Sequence, residues 1–388
     1  MRYALCVMRY FNGNLSQGFV ALFSGRMIQF AAGGLIGLFL PIFLLTKLNY
    51  QVEYVFLYYI AGHVIYLLIL PIGAQLLNKI GLRRSLRLSV IMDGAFYTCL
   101  FFLDKNPNLF LILSVVALTF SRMLFWLPFH TDFAKFTDKI NRGKEVSLIW
   151  ATHSFLSVLM PIAAGFLIMR FDFDIVFIIA IILYLSAGIP FLALPRTHES
   201  FSWGILETWK KYFAKENRKL ILANTANGAE SSVGLIIWPI FIWQIFNGNY
   251  LEVGAISSLI IFVSIILQLL AGKYTDLFNK RKMLHWGTAL YAIGWIGKIF
   301  VLTASQVFFI GTYHVFTKIF KDTPFDTLNY EMMADRGHYV DEYTVLKEIA
   351  VQMGKILMLI FAILVALNFG LNWTFALAAI ASLFINLM

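Results

Sequence analysis

Apolar runs of about twenty residues, the length an α-helix needs to cross the hydrocarbon core of a bilayer, recur along the chain from one end to the other. They place twelve helices near residues 17–45, 54–77, 86–103, 109–127, 147–169, 174–195, 220–245, 252–275, 284–303, 305–321, 346–367 and 370–387, called spans 1 to 12. Backbone polar groups surrounded by lipid must be satisfied within their own segment, which a helix achieves alone, so the fold class is an all-α membrane protein. Composition agrees: 60% of the 388 residues are hydrophobic and 13% charged, with a mean hydropathy of +0.77. Soluble domains carry about 25% charged residues, so one or two aqueous cores could not hide this much apolar surface. Disorder, collagen and a disulfide scaffold are excluded on the same ground. Cys6 and Cys99 are the only cysteines, too few for a thiolate metal cluster and predicted toward opposite membrane sides, hence unpaired. Arg2 and Arg9 flank an apolar patch too short for a signal-peptide core, so span 1 reads as an uncleaved anchor; Met1 and Met8 both stand as native starts of the chain.

Lysine and arginine set the orientation. Lys79, Arg83, Arg84, Arg87, Lys135, Lys139, Arg142, Lys144, Lys210, Lys211, Lys215, Lys280, Arg281, Lys282, Lys321 and Arg336 fall in one set of connections, and only Lys47, Lys105 and Arg170 in the other. By the positive-inside rule both termini are cytoplasmic, the spans are even in number, and the host is a plasma or inner membrane. The net charge of +10 is therefore topology rather than a nucleic-acid surface. Residues 196–218 (RTHESFSWGILETWKKYFAKENR) mix Trp203, Ile205, Leu206, Trp209, Tyr212 and Phe213 with lysines, the composition of an amphipathic linker on the cytoplasmic surface.

An internal repeat organises the rest. Pro41-Ile42-Phe43 recurs as Pro239-Ile240-Phe241 and Asn49-Tyr50 as Asn249-Tyr250. Further on, Pro128-Phe129-His130-Thr131 is echoed by Pro324-Phe325-Asp326-Thr327, and Arg142-Gly143 by Arg336-Gly337. Four matches in one order, at offsets between 194 and 200, divide the chain into pseudo-symmetric six-helix bundles, 1–195 and 219–388, joined by the linker 196–218. Two parallel bundles with a site between them form a transporter architecture.

The loops after spans 2 and 8 carry a further pattern. The second has Gly272, Asp276 and then Lys280-Arg281-Lys282; the first has Ala74, Asn78, Lys79, Gly81 and then Arg83-Arg84. In these loops the chain resembles the major facilitator superfamily, whose hallmark is a glycine, an aspartate four residues on, and basic residues beyond. The resemblance implies alternating access, loops that act as conformational latches, and a central cavity lined by helices 1, 4, 7 and 10. The replaced glycine and aspartate at Ala74 and Asn78 imply weaker charge pairing in the first loop. The helix-5 motif of drug/proton antiporters is matched by Pro161 and Gly165 but not by Met160 and Ala164, which counts against drug efflux.

Chemistry in such a protein rests on polar residues inside spans, where a charge persists only with a partner or a wet cavity. Arg26, Gln29 and Gly33 share one face of span 1, and at the same place in span 7 stand Asn224, Asn227, Glu230 and Ser231. Thr119, Arg122 and Trp126 form a stripe on span 4, answered on span 10 by Lys318. With the cavity that the resemblance implies, Arg26, Arg122, Glu230 and Lys318 converge on one wet space. One reading is an ion pair of Glu230 with Lys318 or Arg122 that holds the halves; the other is a site for an anionic or phosphorylated solute, because arginine's fork suits carboxylate and phosphate. Glu348, Gln352 and Lys355 share a face of span 11, as a self-paired stripe or with Glu348 as a proton carrier. His63, His153 and His314 titrate near neutrality, and His314 joins Glu230 and Glu348 as a coupling candidate. Asp93 is expected to pair with Arg84 or Arg87, and Lys298 to snorkel outward.

His130 and Asp132 are too few to hold a metal, and Gly33, Gly34 and Gly37 suit close helix packing. The acceptor triplet Asn372-Trp373-Thr374 abuts span 12. Neither a phosphate-binding glycine loop, a nucleophile elbow nor a zinc helix motif is present, so no enzyme activity, ATP coupling or cofactor is expected. The sequence reads as a monomeric secondary transporter of a small solute, coupled to protons or another ion. Two alternatives stay open: a drug or lipophile exporter of the same fold, and a membrane sensor or assembly protein that transports nothing.

Overall fold

The computed structural model of the protein describes residues 15–136, 142–195, 201–275, 279–334 and 340–388; these are helical, with no strand among them. Span 1 is two helices, α1 (Gln17–Gly37) and α2 (Leu40–Lys47), followed by span 2 as α3 (Val52–Ile80), span 3 as α4 (Leu82–Phe101) and span 4 as α5 (Pro107–Phe136). Spans 5 and 6 form α6 (Arg142–Leu192), broken at Asp172, whose φ of 64° is left-handed. The linker contributes α7 (Ile205–Tyr212). Span 7 joins α8 (Arg218–Ser232) through a π-helical turn (Val233–Ile237) to α9 (Trp238–Ile245). Spans 8 to 12 are α10 (Tyr250–Thr275), α11 (Lys280–Ile299), α12 (Ala304–Ala334), α13 (Val340–Phe369) and α14 (Thr374–Phe384).

All twelve expected positions are helical. Among the described residues, seven helices are long and apolar enough to cross a membrane by themselves, and one of them holds both spans 5 and 6. Spans 3, 9, 10 and 12 are shorter or more charged and depend on their neighbours. Side chains such as Leu68, Ile112, Phe155, Ile182 and Leu269 are more than half exposed, as a lipid-facing surface requires.

The repeat is conformational as well as sequential. Helices α3 and α10 begin at residues 52 and 250, and α4 and α11 at 82 and 280, a constant offset of 198. Pro41 and Pro239 each enter the first turn of an eight-residue second segment, because a proline lacks the N–H that would continue the preceding helix. Pro128 and Pro324 lie at matching places inside α5 and α12. The Asn-Tyr match needs correction. The left-handed residues after span 1 are Asn49 and Tyr50, whereas after span 7 they are Asn247 and Gly248, and Tyr250 opens α10. That match is two residues out of register. Arg336 and Gly337 lie outside the described residues.

Among the described residues the halves meet most extensively along two seams, α6 on α10 and α3 on α13, with a smaller contact of α2 on α9. On the first, glycine permits backbone contact: a Cβ at Gly165 would stand 2.5 Å from the Tyr250 carbonyl oxygen, and one at Gly254 2.3 Å from that of Pro161. Beside this crossing the Ile162 N–H donates to Ser258 Oγ at 3.1 Å. On the second seam, His63 Nδ1 and Gln352 Oε1 are 2.7 Å apart, so the imidazole carries its proton on Nδ1 to donate to the amide oxygen. Gly34 packs as its spacing suggested, since a Cβ there would meet Met160 at 2.9 Å, but Gly37 faces open space.

Candidate functional site

Span 1 brings Arg26 to a cage of rings. Its guanidinium carbon lies 3.9 Å from the centroid of Phe30, 4.8 Å from Phe125 and Trp126, and 5.4 Å from Phe129, the last three presented by span 4 at helical spacing. Cation–π contact of this kind contributes about 0.5–2 kcal/mol and fixes the guanidinium plane without using its N–H donors. No carboxylate among the described residues is within ion-pair distance of Arg26 or Arg122. Arg26 borders a cavity of about 310 Å³ that is also lined by Gln29, Gly33, His153, Ser157 and Tyr184. Gln29 is 4% exposed, and its side-chain oxygen has no hydrogen-bond partner. Among the described residues, an unpartnered buried acceptor, Gln29 Oε1, thus lies beside a cation without a carboxylate partner, so the cavity can accept from a donor and donate to an anion.

Span 7 carries a separate, self-satisfied cluster buried within the second half. Glu230 accepts from the Tyr291 hydroxyl and pairs with Lys321 at 3.2 Å, while Lys321 also reaches Asn227 Oδ1 at 3.1 Å and Asp322 at 2.7 Å. Glu230 therefore pairs with neither Lys318 nor Arg122. Lys318 lies about 60° further round α12, where it is half exposed and pairs with Asp322 at 3.7 Å. Lys321, counted above among the loop cations, is instead 1% exposed inside span 10, since Glu230 supplies the partner that lets a charge remain there. Lys321, Asp322 and Tyr291 escaped sequence reading. The recurrence of Lys318, Asp322 and Asp326 on one helical face was the available signal.

Other candidates divide. Asn224 is fully buried and donates to Asn329 Oδ1 at 2.8 Å, tying span 7 to span 10. His314 stacks on Tyr291 with centroids 4.2 Å apart and packs edge-on against Trp295 at 4.3 Å, its Nδ1 unpartnered. In the stripe of Glu348, Gln352 and Lys355, Gln352 turns to His63, and no ion pair joins the other two. Asp93 accepts from Ser121 instead of pairing with an arginine, because Arg87 donates to the carbonyl oxygens of Phe191 and Leu192 and closes the end of span 6. Lys298 does not snorkel; it is 2% exposed between the indoles of Trp238 and Trp295, at 4.2 and 4.0 Å.

The latch loops differ from each other. Asn78 Nδ2 donates to the Phe201 carbonyl at 2.9 Å and Asn78 Oδ1 accepts from the Phe201 N–H at 2.8 Å. Aspartate could only accept, so the asparagine fits its two-way role here. The next linker residue, Ser202, donates through its N–H and hydroxyl to Glu342 Oε1, and Trp203 packs edge-on against Tyr343. Residues 201–203 thus strap span 2 of one half to span 11 of the other. Ala74 is buried beneath them, Arg83 donates to Leu194 O at 3.2 Å, and Arg84 is exposed. In the second loop Gly272 lies in α10, Lys280 pairs with Glu331, and Asn279 caps the N–H groups of Arg281 and Lys282. Asp276 lies outside the described residues.

The sequence pattern of the Major Facilitator Superfamily matches residues 22–226 and 220–388. The chain belongs to that superfamily. It is a multi-pass membrane protein and a secondary transporter of small solutes working by alternating access. Similar solved structures include a peptide transporter, POT, in complex with alafosfalin, and the same transporter in complex with sulfate. Each has a TM-score of 0.70 and 12% identity, covering 96% of this chain and 93% of the other. A POT family transporter in complex with 5-aminolevulinic acid has a TM-score of 0.75 and 10% identity, covering 96% and 95%. At these identities the likeness is one of fold. No curated protein sequence matches the chain.

Proposed function

We propose that this transporter carries a small anionic solute, with Arg26 as its principal anion-binding group. The observation that carries the reading is the pairing imbalance across the site. Among the described residues Arg26 is held by rings with its N–H edge unpaired beside a cavity, whereas Lys318 and Lys321 are already matched to carboxylates; the unpartnered Gln29 Oε1 beside Arg26 is an acceptor for a donor group on the same solute. Arginine's planar fork recognises carboxylate, sulfate or phosphate bidentately. On this reading Arg122 and Trp126 belong to the same wall, and Asn227, Glu230 and Lys318 are the second half's contribution to the solute path. That solved relatives in fold hold sulfate or 5-aminolevulinic acid agrees with an acidic solute. A drug exporter's cavity would be apolar and aromatic, without this unpaired cation.

Coupling runs through Glu230, where protonation would release Lys321. Glu348 and His314 are the further carriers. The halves are residues 1–195 and 219–388, with the basic loops and both termini cytoplasmic in a plasma or inner membrane, and the working unit is a monomer. The test is a thermal-shift panel on purified protein at constant ionic strength, with sulfate, phosphate, carboxylates and sugar phosphates set against neutral sugars, nucleosides and cationic drugs. Stabilisation confined to anions is expected; stabilisation by neutral or cationic compounds alone would overturn the reading.

A further inference from the structure

Linker helix α7 has an apolar face wider than the part of it that touches the protein. Its buried positions, Thr208 and Tyr212, lie on one side, packed with Trp203 over the ends of spans 2 and 11. At 100° per residue, Ile205, Trp209, Phe213 and Leu206 carry the apolar arc about 140° further round. Leu206 is 87% exposed and Phe213 75%. Beside Leu206 opens a groove of about 540 Å³ lined by Glu207, Lys210, Lys211 and Ala214. The pair of Lys211 with Glu216, at 3.3 Å, is exposed on both sides and so is weakly held.

The helix lies between the end of span 6 and the start of span 7 in the chain, so a membrane crossed by both spans would place it near the boundary of hydrocarbon and headgroups, on the side of the basic loops. Large uncovered apolar side chains bordered by lysines at that depth fit a membrane leaflet, because the apolar groups enter the acyl boundary while the lysines stay with the phosphates. We propose that α7 docks on anionic phospholipid of the leaflet on the basic-loop side. Leu206 and Phe213 enter the acyl boundary, and Lys210 and Lys211 meet the headgroup phosphates along the groove. Because the adjoining residues 201–203 hold Asn78 of one half and Glu342 of the other, lipid docked on α7 acts on the strap joining both.

The inference stands apart from the identity of the solute and is tested without it. A nitroxide is attached at Leu206→Cys, or separately at Phe213→Cys, in a Cys6→Ser/Cys99→Ser background. Its collisional access to oxygen and to a water-soluble nickel chelate is then compared in vesicles of phosphatidylcholine alone and of phosphatidylcholine with phosphatidylglycerol. Oxygen access should exceed nickel access at both positions, the excess should grow with phosphatidylglycerol, and Lys210→Gln/Lys211→Gln should abolish that growth. Labels open to nickel in both membranes, or equally deep with and without phosphatidylglycerol, would overturn the proposal. Leu206 is exposed, so a label there leaves the packing in place; Phe213 contacts Trp209 and Tyr212, and agreement between the two sites shows that the loss of those contacts does not set the result.

Discussion

Glu230 and Lys321 form an ion pair of 3.2 Å between side chains 3% and 1% exposed, from span 7 and span 10. A buried pair is costly to half-remove, because the remaining charge has lost its partner. Lys321→Met should therefore destabilise the protein by about 3–5 kcal/mol, and adding Glu230→Gln should recover most of that loss. Unfolding in detergent, followed for both single variants and the double, checks this. Additive losses would show that Lys321 acts through Asp322 and Asn227 instead.

Asn78 makes its two contacts with the Phe201 backbone as donor and acceptor at once. Asn78→Asp keeps the shape, removes the donor and sets a carboxylate against a carbonyl oxygen, so the cost should be about 1–3 kcal/mol. Increased protease cleavage within residues 196–218 of the variant would report the loosened strap. An unchanged digestion rate would mean that Glu342 and Trp203 hold the linker without Asn78.

His63 and Gln352 link the halves across the second seam. A double-mutant cycle with His63→Phe and Gln352→Leu should give a coupling of about 0.5–3 kcal/mol, the range for residues in direct contact. A coupling near zero would show that the hydrogen bond contributes nothing beyond packing.

At the first seam, the obstacle a side chain would meet is backbone. Gly254→Ala drives a Cβ against the Pro161 carbonyl oxygen, and overpacking of this sort costs about 1–3 kcal/mol. A lower melting temperature for Gly254→Ala and an unaffected one for Gly37→Ala, which has open space, is the expected contrast.

The fold was readable because lipid leaves the backbone few choices: every apolar run became a helix, and the prolines at 41 and 239 marked where spans 1 and 7 break. The site was legible in part. Arg26, Gln29 and Glu230 stand out as charged or amide side chains in apolar runs, and each proves buried or set at a cavity. Pairing was not legible. Lys318 and Lys321 differ by less than one turn, and which of them meets Glu230 depends on how α12 is rotated against α8, a tertiary property. Lys321 was hidden further by its place at the end of an apolar run, where a lysine ordinarily belongs to a loop. Asn78 looked like a degraded motif because its partner, the backbone of Phe201, has no sequence signature.

The most direct test of the central claim is anion binding at Arg26. Sulfate-induced stabilisation of the purified protein is measured at fixed ionic strength for the unaltered chain, Arg26→Lys and Arg26→Gln. The aromatic cage should keep Arg26→Gln folded, with a loss of about 0.5–2 kcal/mol from the missing cation–π contacts. Its response to sulfate should vanish, and Arg26→Lys, a point charge without the fork, should retain a weakened one. An Arg26→Gln protein that folds and is stabilised by sulfate as strongly as the unaltered chain would contradict the account.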